Sequence, residues 1–110
     1  MKVLVTGSTG LIGRATVQRL YRDGHEWHSP LGDLRSPGMA TAQLRAVRPD
    51  VIVHCAAKLG GIASQQADPT MPIPDSLVIG AQVIAAAAKA SLDHPVHFVF
   101  LSSSVVYPSR

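Results

Sequence analysis

The feature that most constrains this chain is a glycine-rich turn between a short strand-like run and a helical pattern, close to the first residue. The run from Lys2 to Thr6, apolar and β-branched at its centre, predicts a buried strand. Glycines follow at three-residue spacing, at positions 7, 10 and 13, and the apolar residues take up a helical period from Leu11 onward. This part of the chain is therefore predicted to form a strand, a tight turn and a helix.

The same arrangement predicts a phosphate-binding turn. Gly7 permits the tight turn, Gly10 lets the backbone approach a pyrophosphate, and Gly13 lets the helix pack closely on the strand. The pyrophosphate then lies at the helix N-terminus, where unpaired N–H groups and the positive end of the helix dipole favour an anion. A glycine turn that binds no ligand has the same spacing and stays open as the alternative.

Length and composition indicate one small globular domain. The 110 residues are enough for a modest core, and 46% hydrophobic residues with 15% charged residues exclude a disordered chain. The single cysteine, Cys55, excludes an internal disulfide framework and favours a reducing, cytoplasmic location. We expect no membrane association, because the chain has no signal-peptide pattern and no run of about 18 apolar residues.

The net charge of +3 does not by itself indicate a nucleic-acid-binding protein. Arg14, Gln18 and Arg22 fall on one ordinary solvated face of the first predicted helix, and no basic cluster is interleaved with aromatic residues. Four of the five histidines form two close pairs, at 25 and 28 and at 94 and 97, without further residues to complete a metal-ligand set. We expect neither a nucleic acid nor a metal ion as a partner.

The rest of the chain alternates between helix and strand signals. Gly24 is predicted to take the left-handed conformation that ends the first helix. Ser36 is predicted to cap the second helix with Pro37 at its first position, and Asp75 or Ser76 to cap the third. The predicted elements after the first turn are a helix from Leu11 to Arg22, a short strand around Trp27, a helix ending before Pro49 with Ala40, Leu44 and Val47 on its buried face, a strand from Val51 to His54, a helix from about Ser76 to Ala90, and a strand from Val96 to Leu101.

This order, βαβαβαβ, predicts an α/β fold: the front half of a Rossmann-type doubly wound parallel sheet with strand order 3-2-1-4. The apolar run from Val51 to His54 is predicted as a central parallel strand. Ligands of such sheets bind outside the carboxyl ends of the strands. The glycine turn and the residues that follow the other strands are therefore the candidate site.

The segment T-G-S-T-G-L-I-G resembles the fingerprint of the extended short-chain dehydrogenase/reductases, the NAD-dependent epimerase/dehydratase family. The resemblance implies that eight residues hold the dinucleotide: Thr6, Gly7, Ser8, Thr9, Gly10, Leu11, Ile12 and Gly13. It also implies that Asp33 and Leu34 reach the adenine ring, although an aspartate that caps a loop is the alternative. His54-Cys55-Ala56-Ala57 resembles the family's H-x-A-A element, whose small residues let a ribose lie against the strand end. Cys55 is interpreted as packing and not as a nucleophile.

Two further segments resemble the GDP-L-fucose synthases within this family. Ala56-Ala57-Lys58-Leu59-Gly60-Gly61-Ile62 is similar to their loop after a central strand, with Lys58 at the cofactor, although Gln65 and Gln66 stand where they usually have asparagine; the glycine pair also fits a flexible connector. S-S-x-x-Y-P at the end of the last strand places Ser103 at their catalytic serine. The resemblance implies epimerisation and reduction of GDP-4-keto-6-deoxy-mannose with NADPH. Val105 replaces the cysteine that exchanges protons in those enzymes, which implies impaired epimerisation.

The cofactor prediction is NADP, with NAD as the alternative. Dinucleotide folds usually place an acidic residue at the end of the second strand, on the ribose hydroxyls. Here positions 28 to 30 are His28, Ser29 and Pro30, so the charge that would repel a 2′-phosphate is missing.

Two features point beyond this chain. The family's catalytic Tyr-x-x-x-Lys and its substrate domain lie further on, so we expect residues 1–110 to be the N-terminal part of a dinucleotide-binding domain that is inactive alone. Another nucleotide-sugar epimerase or dehydratase, such as one acting on UDP-sugars, and a non-catalytic dinucleotide-binding module remain the alternatives. Gln82 is the one polar residue between Leu77 and Ala88, and the resemblance implies a homodimer through the helix at 76–90. Cover by protein outside this chain, or an aggregation-prone surface, would also explain that helix.

Overall fold

The computed structural model describes residues 1–36, 38–56 and 73–101. Strands and helices alternate along them, so the α/β class is confirmed. The elements are, in chain order, β1 (Lys2–Thr6), α1 (Leu11–Arg22), β2 (Glu26–His28), α2 (Met39–Val47), β3 (Val51–His54), α3 (Ile73–Ala90) and β4 (His97–Phe100).

The four strands form one parallel sheet in the order β2-β1-β3-β4. Val3 of β1 pairs with Trp27 on one side and with Val51 on the other. The predicted order 3-2-1-4 is wrong, because it put the third strand of the chain at an edge, whereas β3 lies between β1 and β4. The Val-Ile-Val run of β3 is apolar on both faces, which suits an interior strand with both edges paired. The prediction that β3 is a central strand was thus right, and it was inconsistent with the predicted strand order.

The chain reverses its direction across the sheet after β2, so right-handed crossovers place α1 and the two later helices on opposite faces. α1 packs on β1 and β2, while α2 and α3 pack on each other and α3 also on β3. The predicted doubly wound arrangement is therefore confirmed. The main core lies between the sheet and α2 and α3, and its buried members are Leu4, Ala40, Leu44, Ile52, Val83, Ala86 and Ala87.

The beginnings of the helices show where local sequence signals were misleading. α1 spans Leu11–Arg22 as predicted, and Gly24 after it takes a φ of 78°. α2 starts later than predicted, because Gly38, at a φ of 80°, is its N-cap. Ser36 lies before the helix and its carbonyl accepts a backbone N–H from the first helical residue at 3.2 Å, so the predicted serine cap is wrong. Pro37, predicted as the first helical residue, lies outside the described residues.

α3 spans Ile73–Ala90, so positions 75 and 76 lie within the helix and not at its N-cap. Val83 and Ala86 on its inner side are buried, whereas Leu77 and Ile84 on its outer side are 67% and 50% exposed. The described part of the chain thus covers one side of this apolar helix only. None of the described helices is long and apolar enough to cross a membrane.

Candidate dinucleotide site

The glycine turn connects the buried end of β1 to an open helix N-terminus. Gly7 has a φ of 70°, and its carbonyl accepts the N–H of Gly10 at 3.1 Å, which closes the turn. Gly10 is the N-cap of α1 in an extended conformation, and no side chain makes a capping hydrogen bond to the helix. The first turn of α1 also holds no acidic residue. Among residues 1–36, 38–56 and 73–101, the N–H groups and the positive dipole end of α1 therefore have no acidic residue in the first turn and no side-chain cap, as an anion site requires.

Gly7 and Gly13 are required by close backbone contacts. A Cβ on Gly13 would lie 1.9 Å from the carbonyl oxygen of Gly7, and a Cβ on Gly7 would lie 2.7 Å from the backbone nitrogen of Ala56. Both distances are shorter than real Cβ atoms allow. The predicted roles of these two glycines, a tight turn and a close helix contact, therefore agree with the geometry.

Gly10 differs from its two neighbours in the motif. A Cβ there would meet only the Gly7 carbonyl oxygen, at an ordinary distance of 3.5 Å. Nothing in the described protein thus requires a glycine at position 10. The predicted reason, close approach of a pyrophosphate to the backbone, remains a prediction that this contrast makes testable.

A buried polar cluster joins the ends of β1 and β3 directly beneath the turn. The Thr6 hydroxyl accepts the backbone N–H groups of Cys55 and Ala56, each at 3.1 Å, and lies 2.7 Å from Nδ1 of His54. The N–H of Cys55 is shared with the Thr6 carbonyl, also at 3.1 Å. Thr6 is 1% exposed and His54 4% exposed. The end of β3 that bears Ala56 is therefore fixed to the strand that leads into the glycine turn.

The protonation of His54 follows from this geometry. A hydroxyl has one proton and two lone pairs. Because the two N–H groups occupy the lone pairs of the Thr6 hydroxyl, its proton is donated to Nδ1 of His54, which leaves the imidazole neutral with its own proton on Nε2. Burial lowers the pKa of His54, which favours the same neutral form. The ring lies 6.3 Å from that of Phe98 and 5.3 Å from that of Phe100, between centroids.

The sequence analysis did not find this cluster. It assigned the H-x-A-A segment to cofactor packing by its small residues and gave the histidine no role. A threonine at the end of one strand and a histidine at the end of the next apolar strand would have been a usable signal only with β1 and β3 known to be neighbours. The incorrect strand order removed that information.

A second polar group lies at the end of β2, and it is more exposed. The hydroxyl groups of Ser8 in the turn and Ser29 after β2 lie 2.7 Å apart. Within β2, Nε2 of His28 lies 2.8 Å from a carboxylate oxygen of Glu26. That hydrogen bond is the main cause that lowers the pKa of Glu26. Positions 28 to 30 hold no carboxylate, and the carboxylate of Glu26, at the start of β2, is the one that contacts His28.

Asp33 and Leu34, predicted to reach an adenine ring, lie between β2 and α2. The Asp33 carboxylate accepts the backbone N–H of Arg35 at 2.9 Å and pairs with its guanidinium at 2.7 Å. This is the local, loop-stabilising arrangement that the sequence analysis gave as its alternative. Leu34 is partly buried and packs against the main core. The two residues are thus held in place, and their role toward an adenine stays a prediction.

Comparison with protein-family models identifies the family of this chain. The model of the NAD dependent epimerase/dehydratase family matches residues 3–110. The chain belongs to this family. Relatives within it are longer: the chain is 32% identical to the GDP-L-fucose synthase of Azorhizobium caulinodans over 98% of its own length and 35% of that protein. It therefore spans about a third of the length of the curated relatives it matches.

Solved structures show the same fold. A GDP-L-fucose synthetase from Naegleria fowleri bound to NADP superposes with a TM-score of 0.79 at 22% identity, over 99% of this chain and 36% of that one. A UDP-glucose-4-epimerase from Stenotrophomonas maltophila with bound NAD also gives 0.79 at 23% identity, over 100% of this chain and 39% of that one. At this identity the likeness supports the Rossmann-type fold and does not distinguish their substrates.

Some of the other predicted site residues lie in the described part of the chain, and the rest lie outside it. Thr9 accepts a hydrogen bond at its carbonyl from the Arg14 guanidinium at 3.0 Å, which places a cation beside the turn. Burial raises the pKa of the Cys55 thiol, in agreement with a packing role. Ala57, Lys58, the 60–61 glycine pair, Gln65, Gln66, Ser103 and Val105 lie outside the described residues.

Proposed function

We propose that this chain binds the pyrophosphate and adenosine of a nicotinamide dinucleotide at the carboxyl edge of its sheet. The observation that carries the proposal is the uncapped N-terminus of α1 above a turn fixed by backbone contacts at Gly7 and Gly13. Such an end binds anions through free N–H groups and the helix dipole. The proposed cradle consists of Thr6, Gly7, Ser8, Thr9, Gly10, Leu11, Ile12 and Gly13.

The other proposed contacts flank this cradle. Asp33 and Leu34 are proposed at the adenine ring, and Ala56, Ala57 and Lys58 at the ribose and nicotinamide side. Ala56 supports the second assignment, because its backbone lies against Gly7 and its side chain adds little bulk at the strand end. Both strand ends adjoin the turn, as in other open parallel sheets with bound dinucleotides.

For the whole protein we propose an NADP-dependent enzyme of the GDP-L-fucose synthase type, acting on GDP-4-keto-6-deoxy-mannose. The GDP-L-fucose synthase relatives support this, as does the S-S-x-x-Y-P segment of the sequence, in which Ser103 is proposed to orient the 4-keto oxygen. Residues 1–110 are proposed as the N-terminal part of the dinucleotide domain. Of the two tyrosines, Tyr21 is followed four residues later by His25 and Tyr107 is among the last four residues, so residues 1–110 contain no complete Tyr-x-x-x-Lys motif. Without that proton donor, the 110-residue chain is expected to be inactive.

A UDP-sugar epimerase is the second candidate, because a UDP-glucose-4-epimerase shares the fold with the same TM-score. A dinucleotide-binding module without catalysis is the remaining alternative. Substrate turnover separates the three: the lead proposal requires NADPH consumption with the GDP-linked keto sugar, the second requires interconversion of UDP-sugars, and the module requires neither.

NADP is proposed ahead of NAD, and the structure supplies an observation on each side. The absence of a carboxylate from positions 28 to 30 favours a 2′-phosphate, and Arg14 lies beside the turn. The carboxylate of Glu26 opposes it, since it contacts His28, the last residue of β2. The cytoplasmic location proposed earlier continues to depend on the single cysteine.

A homodimer is proposed through the outer side of α3. Leu77, Val78 and Ile84 are exposed there on a helix whose inner side is packed on the core. Ile84→Glu is expected to yield monomers in sedimentation with an unchanged unfolding midpoint. Val83→Glu, one position along on the buried side, is the matched control and is expected to unfold the protein. A wild-type monomer would contradict this proposal.

The dinucleotide proposal is tested by fluorescence titration of the full chain with NADPH and NADH. Saturable binding with tighter NADPH is expected, and tighter NADH would overturn the cofactor assignment. Absence of binding of both would overturn the function itself.

The reaction is tested in deuterated water with GDP-4-keto-6-deoxy-mannose and NADPH, comparing the whole protein, residues 1–110 and a Val105→Cys whole protein. We expect NADPH loss with both whole proteins and not with residues 1–110, and more deuterium exchange at C3 and C5 with the cysteine variant than with the unmodified protein. Full exchange by the unmodified whole protein would contradict the role assigned to Val105. Turnover by residues 1–110 would contradict the assignment of the proton donor to the rest of the protein.

A further inference from the structure

We propose that His54 is a positioning residue for the dinucleotide site. Its unprotonated Nδ1 accepts a hydrogen bond from the Thr6 hydroxyl, which leaves both lone pairs of that hydroxyl for the backbone N–H groups of Cys55 and Ala56 beside the glycine turn. The proposal rests on dinucleotide binding at the glycine turn. It adds a residue that contacts no cofactor phosphate itself and that acts through Thr6.

The Thr6 hydroxyl has as many hydrogen-bonding positions as it has partners. The Thr6 hydroxyl has two lone pairs and one proton, and the structure gives it three partners: the N–H groups of Cys55 and Ala56 at 3.1 Å and Nδ1 of His54 at 2.7 Å. All three bonds form together only if Nδ1 accepts. A protonated Nδ1 would be a third donor competing for two lone pairs. The Cys55 N–H would keep the Thr6 carbonyl as its acceptor, whereas the Ala56 N–H has the hydroxyl as its acceptor in the described residues and would be weakened.

One of those N–H groups belongs to Ala56, whose backbone packs against the glycine turn. The backbone of Ala56 lies against Gly7 so closely that a single added Cβ would come within 2.7 Å of its nitrogen and 2.8 Å of its Cα. A shift of Ala56 away from the Thr6 hydroxyl therefore moves backbone atoms that pack directly against the glycine turn. Gly7 in turn supports Gly13 at the start of α1. The state of His54 is transmitted in this way to the N–H groups proposed to bind the pyrophosphate.

The surroundings of His54 explain why the neutral form persists. Phe98 and Phe100 face the ring from β4, Ile52 lies on the same side of β3, and Thr6 faces it from β1. Burial is the cause that lowers its pKa, and no charged side chain of the described residues contributes to that shift. The neighbouring ionisable group, the thiol of Cys55, has its pKa raised by burial and stays neutral.

The first test is nitrogen-15 NMR of the full chain with labelled histidine. We expect the His54 ring to show a pyridine-type Nδ1 and a pyrrole-type Nε2 at neutral pH. A proton found on Nδ1 would overturn the proposal without any mutation and without any ligand.

The second test compares two variants that exchange packing for hydrogen bonding. His54→Asn loses ring packing against Phe98 and Phe100 but keeps an oxygen acceptor near the position of Nδ1, whereas His54→Phe keeps a ring and removes the acceptor. We expect NADPH dissociation constants near wild type for His54→Asn and about tenfold higher for His54→Phe, since a buried hydroxyl is left without an acceptor. A merely structural histidine predicts the opposite order of affinities. If His54→Phe does not fold, Thr6→Val is the disrupting variant: it removes the hydroxyl, and an NADPH dissociation constant equal to that of wild type would contradict the proposal.

The outcomes separate this proposal from the function on which it rests. If wild type binds neither NADPH nor NADH, the proposed function fails and the positioning role fails with it. If wild type binds and His54→Phe binds equally well, the role of His54 alone is wrong. A third readout is the pH profile: NADPH affinity of wild type is expected to decrease in acid as Nδ1 takes up a proton, and His54→Asn is expected to lack that decrease.

Discussion

Two parts of the same sheet edge are built in contrasting ways. Where β1 and β3 end, Thr6 and His54 are almost completely buried, and Gly7 and Gly13 leave no room for a side chain. Where β2 ends, the contacts are between side chains with large exposed fractions: Glu26 is 59% and His28 39% exposed at the side chain. The first part is fixed by backbone geometry and burial, while the second depends on polar side chains that water can replace.

Under the proposed function, this difference gives the two parts different tasks. A backbone cradle recognises the pyrophosphate that NAD and NADP share, so it needs a fixed shape and no particular charge. Discrimination between the two cofactors depends on the 2′ position of one ribose, which the end of β2 is proposed to face. We therefore expect mutations in the first part to affect stability and binding of both cofactors, and mutations in the second to change the ratio of their affinities.

The largest effect is expected from Gly13→Ala. The added Cβ would lie 1.9 Å from the Gly7 carbonyl oxygen, so the helix start must move away from the turn. We expect a loss of about 3 kcal/mol or more in the free energy of unfolding, and no measurable dinucleotide binding. Urea unfolding followed by circular dichroism measures the first effect.

Gly80→Ala is the matched control for that experiment. A Cβ at this helical glycine would meet none of the described residues within 4 Å. It is expected to raise the free energy of unfolding by about 0.5 to 1 kcal/mol, because alanine favours a helix. Equal free energies of unfolding for the two variants would show that the glycine turn accommodates a side chain at position 13. The end of β1 would then not be fixed by backbone geometry.

The next largest effect is expected from Gly10→Ala, in binding alone. Its Cβ meets only the Gly7 carbonyl oxygen at 3.5 Å, so the free energy of unfolding should change by less than about 1 kcal/mol. Affinity for both cofactors should drop by at least about tenfold, since a methyl group would stand where the pyrophosphate approaches the backbone. Fluorescence titration measures it. Unchanged affinity would favour a turn that binds no ligand at this point.

The fold could be predicted from the sequence where backbone geometry or apolar pattern decides it. The run at Lys2–Thr6, the helix at Leu11–Arg22 and the strand at Val51–His54 were all predicted with the bounds that the structure has. The neighbours of β3 were not, because pairing is decided by contacts between distant segments and the prediction followed chain order. The cap of α2 was also missed, since Ser36 has the local signature of a cap but Gly38 can take the left-handed conformation that the turn requires.

The candidate site shows the same division. Gly7 and Gly13 could be predicted because their role is steric and is written in their spacing. The Thr6–His54 pair could not, because its two residues are 48 positions apart and meet only through the pairing of β1 with β3. The ion pair of Glu26 with His28 was missed for another reason: the prediction considered the residues after the strand and not those within it.

A smaller effect is expected from pH, and it separates the buried part from the exposed one. Because burial lowers the pKa of His54, the unfolded chain takes up a proton near the ordinary histidine value of about 6.5 before the folded chain does. The free energy of unfolding is therefore expected to decrease as pH falls through about 6.5, and to level off below the folded pKa. Denaturant unfolding between pH 5 and 8 measures this, with a slope of at most about 1.4 kcal/mol per pH unit from this group. His54→Asn should flatten the slope, and an undiminished slope in that variant would assign it to other groups.

The smallest effect, and the sharpest test of the exposed part, is expected from Glu26→Gln. The hydrogen bond from His28 lowers the pKa of the Glu26 carboxyl, so the group stays ionised at neutral pH and places a negative charge beside His28. If the 2′-phosphate of NADPH lies there, removal of the charge should tighten NADPH binding by about two- to fivefold and leave NADH binding nearly unchanged, because the site is exposed and screened by salt. Asp50→Asn, which removes a carboxylate that accepts the backbone N–H of Lys2 near the start of β3, is the control and should change neither affinity. Weaker NADH binding by Glu26→Gln, with NADPH unaffected, would instead place this carboxylate on the ribose hydroxyls, as in NAD-binding members of such folds, and would reverse the cofactor assignment.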